Sequence, residues 1–130
     1  MTTAGYSGRP LPAKLGVRAG SRVLVGNAPA GFTLDCEHDT VADGSPYDVL
    51  LLFCPALADL AAAWSTATGQ LTVPGALWVA WPKTASGVAT DLTDEVVRRY
   101  AIDHGLVDVK VCAVDSTWSG LKLVRRKEDR

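Results

Sequence analysis

Six residues in two loops could form a binding site for a small ligand. A lysine can supply a cation, a serine a hydroxyl group and a tryptophan an aromatic wall, while glycines let the backbone approach a ligand closely. In open parallel sheets, ligands bind outside the carboxyl ends of the strands. Each of the two loops follows an apolar, strand-like segment, and the candidate ligand-binding residues are Gly26, Asn27, Gly31, Trp81, Lys83 and Ser86.

An alternative interpretation exists for the second loop. Trp78 and Trp81 continue an apolar segment and could simply belong to the core, and Lys83 could be solvated. Trp118 lies at a predicted turn near the C-terminus. If its side chain is exposed, it would indicate a surface for a partner. If the side chain packs against the sheet, it is only a lid, and we favour this packed position.

The sequence shows no catalytic constellation and no metal site. The two histidines are His38 and His104. His104 ends a predicted helix, where its positive charge would interact favourably with the helix dipole. His38 stands between Glu37 and Asp39, and adjacent residues on a strand point to alternating faces, which is poor metal geometry. Ser86 lacks the flanking pattern of a nucleophile elbow.

Composition excludes several classes of protein. The net charge is −1, and the basic run at residues 125–127 is followed directly by two acids, so we expect neither nucleic acid nor membrane as a partner. The three cysteines, Cys36, Cys54 and Cys112, form no CxxC motif. Unpaired thiols suit a reducing compartment, and no signal peptide is evident, so we expect a cytoplasmic protein.

Hydrophobic patterning predicts the elements of one domain, residues 12–130, after an N-terminal arm, residues 1–11. A short helix over 12–17 precedes a strand over 22–26. The segment 47–54 carries an unbroken apolar run from residue 49 onward, which is typical of a strand covered on both faces. An amphipathic helix over 56–68 is closed by Gly69, a turn follows at 73–75, and a second apolar strand spans 76–81.

The C-terminal half predicts a helix and a hairpin. Thr93 resembles an N-cap of a helix that runs to about His104 and ends at Gly105. Residues 106–115 alternate, with four apolar residues on one face, and residues 121–126 return as an antiparallel edge strand. Residues 33–38 can be read as a second strand, and its pairing is left open. Either one helical turn fits at 29–32 before it, or the strand is antiparallel or marginal.

Strands linked by helices indicate an α/β fold, which we predict to be Rossmann-like, with a doubly wound, mostly parallel sheet closed by a C-terminal antiparallel hairpin. The order of elements resembles a trimmed class I methyltransferase, and residues 105–111 are similar to that family's helix-to-strand passage. The loop at 25–31 departs from the family's glycine-rich motif. It lacks the acidic residue and the middle glycine, and Pro29 removes a backbone donor. Glu37 or Asp39 could still serve as the ribose-binding acid.

A closer resemblance extends over nearly the whole chain. The chain is similar to a family of small bacterial proteins of unknown function, so this likeness implies no activity. The matching segments are residues 5–7, 15–17, 48–53, 76–83, 91–93, 111–115 and 118–121.

Two hypotheses about function follow. The favoured one is a non-catalytic module that binds a small molecule or a protein partner, without a cofactor and with self-association as an option. The alternative is a small enzyme with a nucleotide or S-adenosylmethionine site at the C-terminal edge of the sheet. Fold alone does not decide between them.

Overall fold

Two apolar strands form the centre of the sheet. A computed structural model of the protein describes residues 9–130. In it β2 (Tyr47–Phe53) and β3 (Leu71–Pro82) pair in parallel, with Leu50 opposite Leu77 and Leu51 opposite Trp78. The short strand β1 (Val23–Gly26) pairs in parallel with the outer side of β2. The prediction that the two unbroken apolar runs lie side by side inside a sheet is confirmed.

The C-terminal hairpin makes the sheet mixed. β4 (Leu106–Ala113) and β5 (Trp118–Arg125) are antiparallel, and β5 is also antiparallel to β3. The strand order is β1-β2-β3-β5-β4, with two parallel and two antiparallel pairings. The predicted Rossmann-like, mostly parallel sheet is therefore wrong. So is the edge position of residues 121–126: Leu121 and Leu123 are almost fully buried, and β4 forms the edge instead.

The two long helices cover only one face of the sheet. The long helices α2 (Leu57–Gly69) and α3 (Asp94–Asp103) both pack on one face. The other face is covered by the four-residue helix α1 (Leu11–Lys14) and by irregular segments that bring Leu15 and Leu34 onto it. The sheet is thus not doubly wound, because the chain between β1 and β2 forms no helix. None of the described helices is long and apolar enough to cross a membrane.

The irregular cover is held by specific contacts. The indole N–H of Trp78 donates to the carbonyl oxygen of Leu15 at 3.1 Å. The ring of Phe53 makes edge-to-face contacts with Phe32 and Trp118, at centroid distances of 4.8 and 5.0 Å. Trp118 therefore packs against the sheet, as predicted. These contacts satisfy a buried donor and join segments far apart in sequence.

Residues 33–38 form no strand. Asp39 alone bridges to β1, with its N–H donating to Val23 at 2.8 Å and its carbonyl accepting from Val25 at 2.9 Å. The N–H of Phe32 bonds to the carbonyl of Pro29, which closes a turn at 29–32. This turn is not helical, since Gly31 has a φ of 83° and no helix lies between β1 and β2. Of the open alternatives, only the marginal pairing is observed, and it is made by Asp39.

Several element boundaries differ from the prediction. The Thr93 hydroxyl accepts from the N–H of Val96 at 3.2 Å, so the predicted N-cap is confirmed. Gly69 is the last residue of α2 rather than its cap. The predicted turn at 73–75 lies within β3, beside a register shift opposite β2. α1 begins at Leu11 and is shorter than predicted, and residues 1–8 of the predicted arm lie outside the described residues.

Gly75 and Gly69 offer a matched test of the packing beside the β2–β3 register shift. A Cβ on Gly75 would lie 3.0 Å from the carbonyl oxygens of both Thr72 and Tyr47, whereas one on Gly69 would meet nothing within 4 Å. We expect Gly75→Ala to destabilise the protein by about 1–3 kcal/mol through overpacking. Gly69→Ala, in the last turn of α2, should be neutral or stabilising by up to about 1 kcal/mol. Urea unfolding measures both, and equal effects would contradict the close approach at Gly75.

Candidate functional site

The predicted site residues lie at one edge of the sheet, but most of their polar groups already have partners. Because β1, β2 and β3 are parallel, Gly26, Phe53 and Pro82 end at the same edge. Asn27 has a φ of 59°, and its side-chain amide donates to the carbonyl of Phe53 at 3.0 Å. This bond fastens the loop after β1 to the end of β2. Gly31 has a φ of 83°, which favours glycine at that turn.

The second predicted loop is held in the same way. Trp81 is only 5% exposed and belongs to the core beneath α2 and α3. The Ser86 hydroxyl donates to the carbonyl of Lys83 at 2.7 Å and accepts from the N–H of Val88 at 3.1 Å. The backbone N–H of Lys83 donates to Thr117 at 2.9 Å. These contacts show what the residues do in the fold, and their role in binding a ligand stays a prediction.

A cleft of about 430 Å³ lies at the opposite edge of the sheet, where β1 and β2 begin. We call it the corner cleft. One wall is the segment 17–23, which leads from α1 into β1, and the other is the segment 36–39. Tyr47, the first residue of β2, completes the lining.

Tyr47 forms the fixed base of this cleft. Its side chain is fully buried, and its hydroxyl donates to the carboxylate of Asp39 at 2.5 Å and accepts from the N–H of Asp43 at 3.2 Å. Burial, and then the hydrogen bond to Asp39, raise the pKa of Tyr47. The phenol therefore stays neutral at physiological pH and acts as a positioning group.

Arg22 is fixed above Tyr47. Its guanidinium lies 4.5 Å from the centre of the Tyr47 ring and donates to the Asp43 carboxylate at 2.6 Å. It also donates to the carbonyl oxygens of Pro46 at 2.9 Å and Ser45 at 3.2 Å. The hydrogen bond to Arg22 lowers the pKa of Asp43, and the same bond raises the pKa of Arg22. This network holds residues 43–47 against the start of β1.

Three side chains remain available to a ligand in the corner cleft. The Nδ1 atom of His38 lies 2.8 Å from the carbonyl oxygen of Cys36, so Nδ1 carries the proton that is donated there. The Nε2 atom of a neutral His38 is then an acceptor. Within residues 9–130, Glu37 and the guanidinium of Arg18 have no ion pair. The cleft thus offers a carboxylate, an imidazole nitrogen and a cation.

Sequence reasoning missed this cleft. His38 stands between two acids, and strand geometry would have sent the three side chains to opposite faces. The segment is irregular instead, so Glu37, His38 and Asp39 all line one cleft. The sequence signal that could have predicted this irregular segment is the position of the polar run, between a short strand and a loop rich in turn-forming residues. Among the described residues, no group of three or more His, Cys, Asp or Glu side chains could hold a metal ion.

A second, mostly apolar groove of about 360 Å³ lies between α2 and α3. Tyr100 lines it, and the ring of Tyr100 stacks on His104 with centroids 3.9 Å apart. His104 Nδ1 donates to the carbonyl of Tyr100 at 2.7 Å, which occupies a carbonyl of the last helical turn.

Comparisons with protein-family models and with curated proteins find no match to this chain. The resemblances to the bacterial family of unknown function and to class I methyltransferases therefore stay predictions.

The Arg22–Asp43 pair predicts a pH-dependent stability. Because the folded-state pKa of Asp43 is depressed, the pair stabilises the fold above the unfolded pKa of about 3.9 and is lost as pH falls through the lower folded value. We expect Asp43→Asn to be less stable than wild type near neutral pH, with a gap that closes below about pH 4. Urea unfolding across this range measures the gap. Asp103→Asn, which breaks no ion pair in the described residues, should show none.

Two of the three thiols, those of Cys36 and Cys54, should differ in reactivity. All are free, and Cys54 is 1% exposed, with its pKa raised to about 12 by burial. Cys36 is half-buried, beside the corner cleft. Mass spectrometry after brief iodoacetamide treatment should find Cys36 labelled and Cys54 unlabelled until denaturant is added, because only the accessible thiolate reacts. Equal labelling of the two in the native protein would contradict the burial of Cys54.

Proposed function

We propose that this chain is a non-catalytic binding module whose corner cleft takes a small polar molecule. The observation that carries the proposal is a hydrogen-bonded base of Tyr47, Arg22 and Asp39 beside the available groups of Glu37 and His38. A site whose walls are already fixed loses little freedom when a ligand binds. The cleft's volume, about 430 Å³, falls within the usual range for small-molecule sites.

The charges of the two walls favour a zwitterionic ligand. Arg18 on the first wall matches a carboxylate, and Glu37 on the second matches an ammonium group. The ring of His38, whose Nδ1 bonds to the carbonyl of Cys36, adds Nε2 as a further hydrogen-bonding group for the ligand. A molecule that carries both charges, such as a free amino acid or a similar compound, satisfies both walls at once. The three free thiols support a cytoplasmic location as part of this proposal.

The alternative places a nucleotide or S-adenosylmethionine at the C-terminal edge, near Gly31, Lys83 and Ser86. It has less support, because the Ser86 hydroxyl and the Asn27 amide already bond to the backbone. The two hypotheses use opposite ends of the sheet, and this separation makes them distinguishable.

Thermal unfolding with a panel of ligands tests the proposal. A ligand at about 100 times its dissociation constant stabilises by about 2.7 kcal/mol, which raises the midpoint of a domain of this size by several degrees. We expect a rise with at least one amino-acid zwitterion. The rise should be lost in Glu37→Gln and in His38→Ala and kept in Glu128→Gln, a control in the exposed C-terminal turn.

Two outcomes would overturn the proposal. One is a panel of amino-acid zwitterions that leaves the midpoint unchanged. The other is a rise with S-adenosylmethionine or a nucleotide that survives Glu37→Gln but is lost in Lys83→Ala, which would move the site to the other edge and favour the enzyme.

A further inference from the structure

Two lysines lie side by side on the β4–β5 hairpin, at the end of the strand order away from β1. In the β4–β5 pairing Lys110 stands directly opposite Lys122. Lys122 alternates with the core residues Leu121 and Leu123 beneath α3, so its side chain points to the face opposite α2 and α3. Lys110 therefore shares that face with it.

A β-bulge creates this arrangement. The register shifts between Asp108 and Lys110, so the two residues lie on opposite faces although regular alternation would place them together. Asp108 faces α3, where its carboxylate accepts from Arg98 at 3.0 Å. The bulge also leaves Val109 and Val111 about half exposed, which corrects the prediction that the valines of this strand share one buried face. The nearest acid in sequence is thereby removed from the two lysines.

Arg18 adds a third positive charge. It lies three residues after Leu15, whose carbonyl accepts from the indole of Trp78, the β3 residue directly opposite Lys122. Burial lowers the pKa of Lys122, and the charges of Lys110 and Arg18 lower it further. Within residues 9–130 no carboxylate forms an ion pair with any of these three side chains. Lys14 lies on the same side and donates to the carbonyl of Ala113 at 2.7 Å.

This cluster is unfavourable for the isolated fold. Like charges directly opposite each other on neighbouring strands are destabilising. A multivalent anion would remove that repulsion and would take charge-assisted hydrogen bonds from all three side chains. The two lysines are directly opposite each other on neighbouring strands, and the net charge of the chain is −1, so the arrangement matches a small anion better than a long polyanion.

We infer that Arg18, Lys110 and Lys122 form a second binding site, for a phosphate-type oxyanion. The anion is either free phosphate or the phosphate group of a small metabolite. The site shares Arg18 with the corner cleft, but Lys110 and Lys122 do not line that cleft, so variants of the two lysines test this site without changing the cleft.

The test uses the full chain and inorganic pyrophosphate, with sodium chloride added to keep the ionic strength constant. We expect pyrophosphate to raise the thermal midpoint more than phosphate does. Lys110→Gln and Lys122→Gln should each lose most of the rise, and Lys127→Gln, a control in the C-terminal turn, should keep it. Glu37→Gln in the corner cleft should also keep it. A phosphorylated sugar that raises the midpoint further would identify a metabolite as the source, and an equal rise would favour free phosphate.

A second measurement covers the case in which a variant folds poorly. Without added anion and at low salt, Lys110→Gln should unfold at a higher temperature than wild type, because the repulsion from Lys122 is gone. High salt should remove this difference by screening. A pyrophosphate effect that is equal in wild type and both lysine variants would overturn the inference. So would a larger rise with duplex DNA at the same phosphate concentration, which would assign the cluster to nucleic acid.

Discussion

The burial of β2 and β3 on both sheet faces is the constraint on which the rest of the structure depends. Leu50 and Leu52 point to one face, and Val49, Leu51 and Phe53 point to the other. Each such side chain contributes about 1.5–3 kcal/mol only when it is fully removed from water. Both faces must therefore be covered. The helices α2 and α3 cover one face, and α1 with the segments around Leu15 and Leu34 covers the other.

Much of this scaffold is predictable because its signals are local. An unbroken apolar run identifies a doubly covered strand, and Thr93 with the two acids that follow it identifies the start of α3. The position of β5 was not predictable in the same way. Its residues read equally well as an edge strand or an interior strand, and the choice depends on which neighbour buries Leu121 and Leu123. Non-local pairing of this kind leaves no mark in a short sequence window.

The candidate sites show the same limit. The sequence placed a ligand at the C-terminal edge through a general rule for parallel sheets. The corner cleft instead depends on how an irregular segment returns to β1 through the single bridge at Asp39. The lysine pair depends on a bulge in β4, which the regular alternation of the sequence does not indicate. Lys110 is visible in the sequence, but the residue opposite it is known only once the register is known.

The two faces of the sheet can serve different purposes because their covers differ in kind. A helix laid on a sheet satisfies its own backbone and presents an apolar stripe, so it buries surface and leaves little polar chemistry at the contact. An irregular cover must anchor its backbone with side chains, as the Trp78–Leu15, Tyr47–Asp43 and Arg22–Ser45 contacts do. Such a cover brings polar and charged groups close to the core and holds them in place. Arg18 belongs to this cover and borders both the corner cleft and the lysine pair. The prediction of a doubly wound sheet is wrong because the second face has no layer of long helices. The irregular cover that stands in its place also provides the candidate binding surfaces of this small domain.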